Sequence, residues 1–259
     1  MKINIEEAKE EFIRYTEKFN LEDGNIKRKQ QHSLRVMKIS EQIAKNLKLQ
    51  EEQIQLATLI GLLHDIGRFK QYTEIGLGDN LEGFDHGDYG AEILFEKGII
   101  RNFIKTDKYD EIIRKAIKNH NKFAIEDGLT QDELIFAKLI RDADKLDILY
   151  ESEYIFYKNQ EDLINKSILS EKIYNQFIKK TLVEKEKNII LEYIDDIVCV
   201  IAFIFDINYK TSFEILKEKD YINHILDRYN FEDEKTKQRV QKIKNEANKY
   251  IEYKTMEEV

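Results

Sequence analysis

Apolar residues recur at three- and four-residue intervals along almost the whole of this chain. Strand-like alternation bounded by turn residues is missing almost everywhere. That pattern predicts an all-α fold. The sequence contains no proline. Interior proline breaks helices, so its absence permits long ones without requiring them. The abundance of Ile, Lys, Asn, Glu and Tyr is an equally good source of the depletion, through nucleotide bias. Helices are expected over residues 4–20, 27–48, 51–65, 86 to about 98, 108–120, 131–158, 170–181, 184–206, 210–229 and 233–254. The turn Asp23-Gly24-Asn25 is expected to end the first, Gly67 to close the third, and Asp85 to cap the helix that starts at His86. Between Gly67 and Asp85 lies a loop with Gly76, Gly78 and Gly83, of the kind that often rims a binding site.

At 259 residues the chain can bury a core without disulfides. No internal repeat is visible. The best candidate boundary, the polar segment 158–171, lacks Pro, Gly or Ser enrichment, so residues 1–259 read as a single domain. The net charge of −8 argues against a nucleic-acid partner while leaving room for a pocket that binds one small anion. Cys199, in the apolar run IVCVIAFIF, reads as a core residue and has no second cysteine to pair with. The N-terminal MKINIEEAKEEF lacks the apolar centre of a signal peptide. The longest apolar stretch, Ile197 to Phe205, falls far short of the ~20 residues that span a bilayer. A cytoplasmic protein without a membrane segment is the expectation.

The histidines carry the chemistry. Of the five, His32 shares a stripe with Val36 and Ile39, His64 with Ile60 and Ala57, His86 with Gly90, Ile93 and Leu94, and His120 with Ile113, Ala116 and Ile117. Four helices therefore each aim an imidazole inward. Buried imidazoles need partners for a donor and an acceptor each, and a metal ion is one partner that satisfies several at once. His224, in DYINHILDRY, reads as an ordinary surface or core histidine. Asp65 follows His64 at a helix end, where adjacent side chains can flank one site. In IRDADKLDIL, Asp144 falls on the line joining Ile140 and Ile148 and should be buried. Asp142 lines up with Lys138 and Lys145 and reads as solvated, and Asp147 as partly buried. Asp144 is the candidate ligand, with Asp142 in reserve.

The order His32, His64-Asp65, His86, His120, Asp144 resembles the H…HD…H…H…D signature of the HD superfamily of metal-dependent phosphohydrolases, in its binuclear branch. HDIGRF is similar to the variant in which Ile-Gly follows the pair, and the resemblance covers about residues 28–150. It implies an HD-domain helical bundle, with residues 151–259 as a helical C-terminal extension. It implies two divalent transition-metal ions (Mn, Fe, Co, Ni or Zn), bridged by Asp65. His32, His64 and Asp144 would hold one ion, and His86 and His120 the other. It implies hydrolysis of a small phosphorylated substrate, a phosphomonoester or a nucleotide, by metal-activated water. Asp65 would then be catalytic. So would Lys145, at a place where nucleotide-cleaving relatives contact phosphate. Arg68, just past the metal helix, could bind phosphate or cap that helix. Arg35, one turn from His32, is a weaker candidate for substrate binding. The Gly-Tyr-Pro element of the cyclic-dinucleotide phosphodiesterases is absent. The alternatives are a di-iron oxygenase of the same superfamily, which uses a very similar ligand set, and a regulatory module that keeps the metal without turnover. Substrate identity and oligomeric state are not legible in the sequence.

Overall fold

A computed structural model of the chain describes residues 3–75, 84–183 and 191–257. Every regular element among the described residues is a helix. The chain divides into two compact units, Met1–Asp144 and Lys145–Val259. The division falls within a helix, between Asp144 and Lys145, a few residues before the point near 150 where the sequence reading passes from metal core to extension within one domain.

The first unit begins with α1 (Ile5–Thr16), capped by the Asn4 side chain. Asp23 and Gly24 do not end that helix. The Asp23 carboxylate accepts from the backbone N–H groups of Asn25 and Ile26 and starts α2 (Gly24–Asn46), with Gly24 as its first residue. A capping box between Gln50 and Gln53 opens α3 (Glu51–Leu63). Every residue of α3 from Gln55 to Leu63 is buried, as its unbroken apolar run demands. Gly61 lets α2 and α3 touch backbone to backbone, because a Cβ there would lie 2.9 Å from the Val36 carbonyl oxygen.

The chain leaves α3 at His64. Asp65, at φ −102° and ψ 17°, breaks the helical run before α4 (Ile66–Lys70), which passes into a π-helical turn, Gln71–Ile75. Gly67 is therefore inside a helix and does not terminate one. Its task is close approach to the next helix, α5 (His86–Ala91). A Cβ on Gly67 would sit 2.8 Å from both the His86 carbonyl oxygen and the Gly90 nitrogen. Asp85 caps α5 as expected, accepting from the Asp88 N–H at 2.9 Å. A π-helical turn (Glu92–Glu96) and two helices follow, α6 (Ile100–Phe103) and α7 (Asp110–Asn119). The last is α8 (Gln131–Tyr154), opened by reciprocal hydrogen bonds between Thr130 and Glu133.

The second unit takes the end of α8 and then α9 (Glu161–Lys166), α10 (Glu171–Ile178), α11 (Tyr193–Ile201) with a 3-10 turn Ala202–Asp206, α12 (Lys210–Lys219), α13 (Tyr221–Leu226) and α14 (Glu234–Met256). The single helix expected over 210–229 is broken at Asp220, whose φ of 54° is left-handed. Asn165 anchors α9, accepting from the backbone N–H groups of Asn230 and Glu232. Cys199 is buried, as expected of a core residue. His224 is exposed, with Nδ1 3.1 Å from Glu153, in keeping with the ordinary role expected of it.

Candidate metal centre

The helices of the first unit bring His32, His64, Asp65, His86, His120 and Asp144 to one place. His32, His64, Asp65 and His120 are buried. Asp144 and His86 keep 13% and 15% side-chain exposure, which places them at the mouth. The imidazoles stand in two pairs. His32 Nε2 and His64 Nε2 are 3.1 Å apart, as are His86 Nε2 and His120 Nε2. Asp144 Oδ1 closes the first pair, 3.1 Å from His32 and 3.5 Å from His64.

Asp65 lies between the pairs, one oxygen turned to each. Its Oδ2 is 3.5 Å from His32 Nε2 and 3.7 Å from His64 Nε2. Its Oδ1 is 3.6 Å from both His86 Nε2 and His120 Nε2. Two of the rings are set by the backbone. Carbonyl oxygens only accept, so His64 Nδ1 donates to Gly61 O at 2.9 Å and His120 Nδ1 to Ile117 O at 2.6 Å. In a neutral ring that leaves the Nε2 lone pair facing inward. Burial, partly offset by Asp65, holds the His64 pKa below its ordinary value. Burial and then the neighbouring His120 push His86 well below. Both rings are accordingly neutral at pH 7, the form that ligates metals.

The cations around Asp65 escape periodicity arguments. Lys29, one turn before His32, is nearly buried and donates to Asp65 Oδ2 at 2.7 Å. Burial opposes its charge, but the surrounding groups, Asp65 foremost, leave its pKa above the ordinary value. Burial likewise opposes Asp65 ionisation, and Lys29 foremost holds its carboxyl well below the usual range. Burial opposes the charge on Asp144 too, and the adjoining His32 and His64 rings keep its carboxyl well below that range. Arg68 is buried, with Nε 3.6 Å from Asp65 Oδ1 and Nη1 donating to Gln71. Asp65 Oδ1 itself is buried and makes no hydrogen bond among the described residues. A buried carboxylate oxygen that lacks a hydrogen bond and stands between two imidazole nitrogens is what a bound cation would satisfy. Two overlapping donor groups, His32–His64–Asp144 and His64–Asp65–His120, have ligand atoms close enough to share an ion. Mixed nitrogen and carboxylate donors suit a transition-metal ion.

The remaining sequence candidates fall as follows. Asp142 is fully buried, contrary to the solvated face expected of it. Asp147, expected to be partly buried, is also enclosed, because α8 is covered around most of its circumference. Arg141, fully buried, donates to the carbonyls of Asn119 and Lys122 at 2.6 Å and so pins the turn that carries His120. Lys145 is buried, with its ammonium 2.8 Å from the Asp206 carboxylate. Arg35 is half-buried on α2. Gly76, Gly78 and Gly83 lie outside the described residues. Lys29, Arg141 and Asn121, which touches His86, were the residues sequence reasoning missed. For the first two the signal was present, since each precedes a ligand by three residues on a helix.

The HD-domain family model matches residues 30–149, a span that holds all six of these residues. Residues 30–149 are an HD domain. The match places them in a superfamily of metal-dependent hydrolases with an all-helical fold. Neither curated proteins nor solved structures gave a match to the chain. The HD domain ends inside α8, five residues beyond Asp144, so the second unit lies almost wholly outside it. No helix among the described residues is long and apolar enough to cross a membrane.

Proposed function

We propose that the HD domain is a two-ion phosphohydrolase acting on a small phosphorylated substrate, a phosphomonoester or a nucleotide. One observation carries this reading: the two oxygens of Asp65 each face a separate imidazole pair. A single-ion site would not need a carboxylate arranged as a bridge. His32, His64 and Asp144 would hold one ion and His86 and His120 the other, with Asp65 shared. When bound, divalent ions lower the pKa of water and neutralise phosphoryl oxygens.

The protein's own contribution is charge and placement. Lys29 and Arg68 flank Asp65 and offset its charge, which leaves the centre more electropositive for an anionic substrate. Arg68 stands on the side of the second imidazole pair, where it could also bind phosphate. Lys145 would act as a phosphate contact by exchanging Asp206 for the substrate. The mouth at His86 and Asp144 gives the substrate its approach.

The test is metal analysis of purified protein, then a phosphate-release screen across nucleoside monophosphates, nucleoside triphosphates and sugar phosphates. About two transition-metal ions per chain are expected, with phosphate release that Asp65→Ala abolishes. Unaltered phosphate release by Asp65→Ala would refute the reading. An oxygen-dependent activity with no phosphate product would replace it with the oxygenase alternative.

A further inference from the structure

A guanidinium is built into the fold beside the metal centre, and the chemistry proposed above gives it no part. Arg141, on α8 one turn before Asp144, is 1% exposed. It donates to three backbone carbonyls: from Nη1 to Asn119 O and Lys122 O, both at 2.6 Å, and from Nη2 to Phe123 O at 3.4 Å. The two hydrogens of Nη1 therefore bracket His120 and Asn121. Capping α7 concerns only the Asn119 carbonyl, one of those a helix end leaves unsatisfied. The bonds at residues 122 and 123 go further and fix the turn beyond the helix.

Both bracketed residues act on the centre. His120, the residue that ends α7, places Nε2 3.1 Å from His86 Nε2 and 3.6 Å from Asp65 Oδ1. Asn121 stands 3.3 Å from the other ring nitrogen of His86. The turn is held from a second side by buried Asn119, which donates from Nδ2 to Lys115 O at 2.9 Å and accepts from the Glu126 N–H at 2.8 Å. Asp144, on the helix that carries the guanidinium, lies 3.1 Å from His32. One turn of α8 thus bears a partner of the first imidazole pair and the anchor of the second.

We infer that Arg141 is a positioning residue: by bracketing His120 and Asn121 from the helix that bears Asp144, it sets the spacing between the two imidazole pairs. This rests on the metal centre proposed above, though not on how many ions fill it. A guanidinium is a rigid planar fork. Lysine keeps the charge but ends in a point ammonium on a flexible stem, which cannot hold three carbonyls in the same places. A bound ion needs its donors within about 0.2 Å of their bond lengths. A looser turn therefore weakens ion binding while the chain stays folded.

A double-mutant cycle on the full-length protein, read by calorimetric titration with Co²⁺, separates positioning from general destabilisation. Arg141→Lys should weaken Co²⁺ binding by about tenfold, the lower end of what residues supporting metal ligands contribute. That loss should appear in the otherwise wild-type protein and again in His32→Ala. In His120→Ala the same change should matter by less than about twofold, the scatter of independent sites. Equal weakening in all three backgrounds, or weakening in none, overturns the inference. Asn119→Ala loosens the same turn without touching the buried cation and should repeat the pattern, with the same outcomes deciding it where Arg141→Lys does not fold. A wild type that binds one ion overturns the two-ion reading, and the cycle still judges Arg141. A wild type that binds no divalent ion overturns both.

Discussion

Replacing Gly67 with alanine adds one methyl group where α4 meets α5, and the neighbours of that methyl are all backbone. The His86 carbonyl oxygen and Gly90 nitrogen would each be 2.8 Å away, and Gly90 Cα 3.1 Å. No side chain can rotate aside, so the two helices must separate by several tenths of an ångström. In a helix interior, alanine gains up to ~1 kcal/mol over glycine, while overpacking of a close contact costs ~1–3 kcal/mol. The net expectation is a loss of ~1–2 kcal/mol, a five- to thirtyfold shift in the unfolding equilibrium. Gly90→Ala is the matched control. Its nearest contacts, at 3.5 Å and beyond, are ordinary van der Waals distances, so the propensity gain should survive and stabilise by up to ~1 kcal/mol. Both sites lie on short helices of the first unit. Urea titration followed by far-UV circular dichroism measures the midpoints. Because α4 follows Asp65 and α5 starts at His86, Gly67→Ala should also weaken metal binding. A Gly67→Ala protein as stable as Gly90→Ala would show that this contact does not constrain the fold.

Three further perturbations follow from the charges. Lys29→Met removes the nearer of the two cations beside Asp65 and should cost the metal-free protein ~3–5 kcal/mol; divalent ion at a thousandfold its dissociation constant should return ~4 kcal/mol, so thermal melts with chelator should show the loss and melts with ion its recovery. Burial opposes ionisation of Asp85, but hydrogen bonds from Lys122 and the Asp88 N–H take its pKa down to about 2. That contribution is complete above the ordinary carboxylate value and is lost as pH falls toward 2; Asp85→Asn, which keeps a cap but loses the ion pair, should therefore cost ~0.5–1 kcal/mol at pH 7, after discount for solvent screening, and nothing near pH 2 by urea midpoints. Lys145→Met removes a partner of Asp206 and the proposed phosphate contact, so it should lower stability by ~1–3 kcal/mol in the same assay and lower turnover as well; unchanged turnover would refute the phosphate role.

The all-α fold and the inward aim of the histidines were legible because both depend on a local period. A residue three or four places from apolar neighbours on a helix faces where they face, whatever the rest of the chain does. Asp142 shows where that logic stops. Periodicity presumes that each helix keeps one wet side, and α8 does not: Arg141, Asp142, Ala143, Lys145, Leu146 and Asp147 are all buried. Gly67 failed for a related reason. A glycine reads locally as a helix stop, whereas its use here is set by a backbone some twenty residues further along the chain.

The two imidazole pairs differ in the same way. His32 and His64 sit on α2 and at the end of α3, helices long enough for apolar stripes to orient them. His86 begins a six-residue helix and His120 follows the last residue of α7. Their placement depends on contacts no window of sequence contains: Gly67 against the His86 carbonyl, Arg141 on the Asn119 and Lys122 carbonyls, and Asn121 on His86. A pair oriented by long helices tolerates surface substitution around it. A pair oriented by single tertiary contacts does not, so changes at Gly67, Asn121 or Arg141 should disturb the His86–His120 pair before the His32–His64 pair.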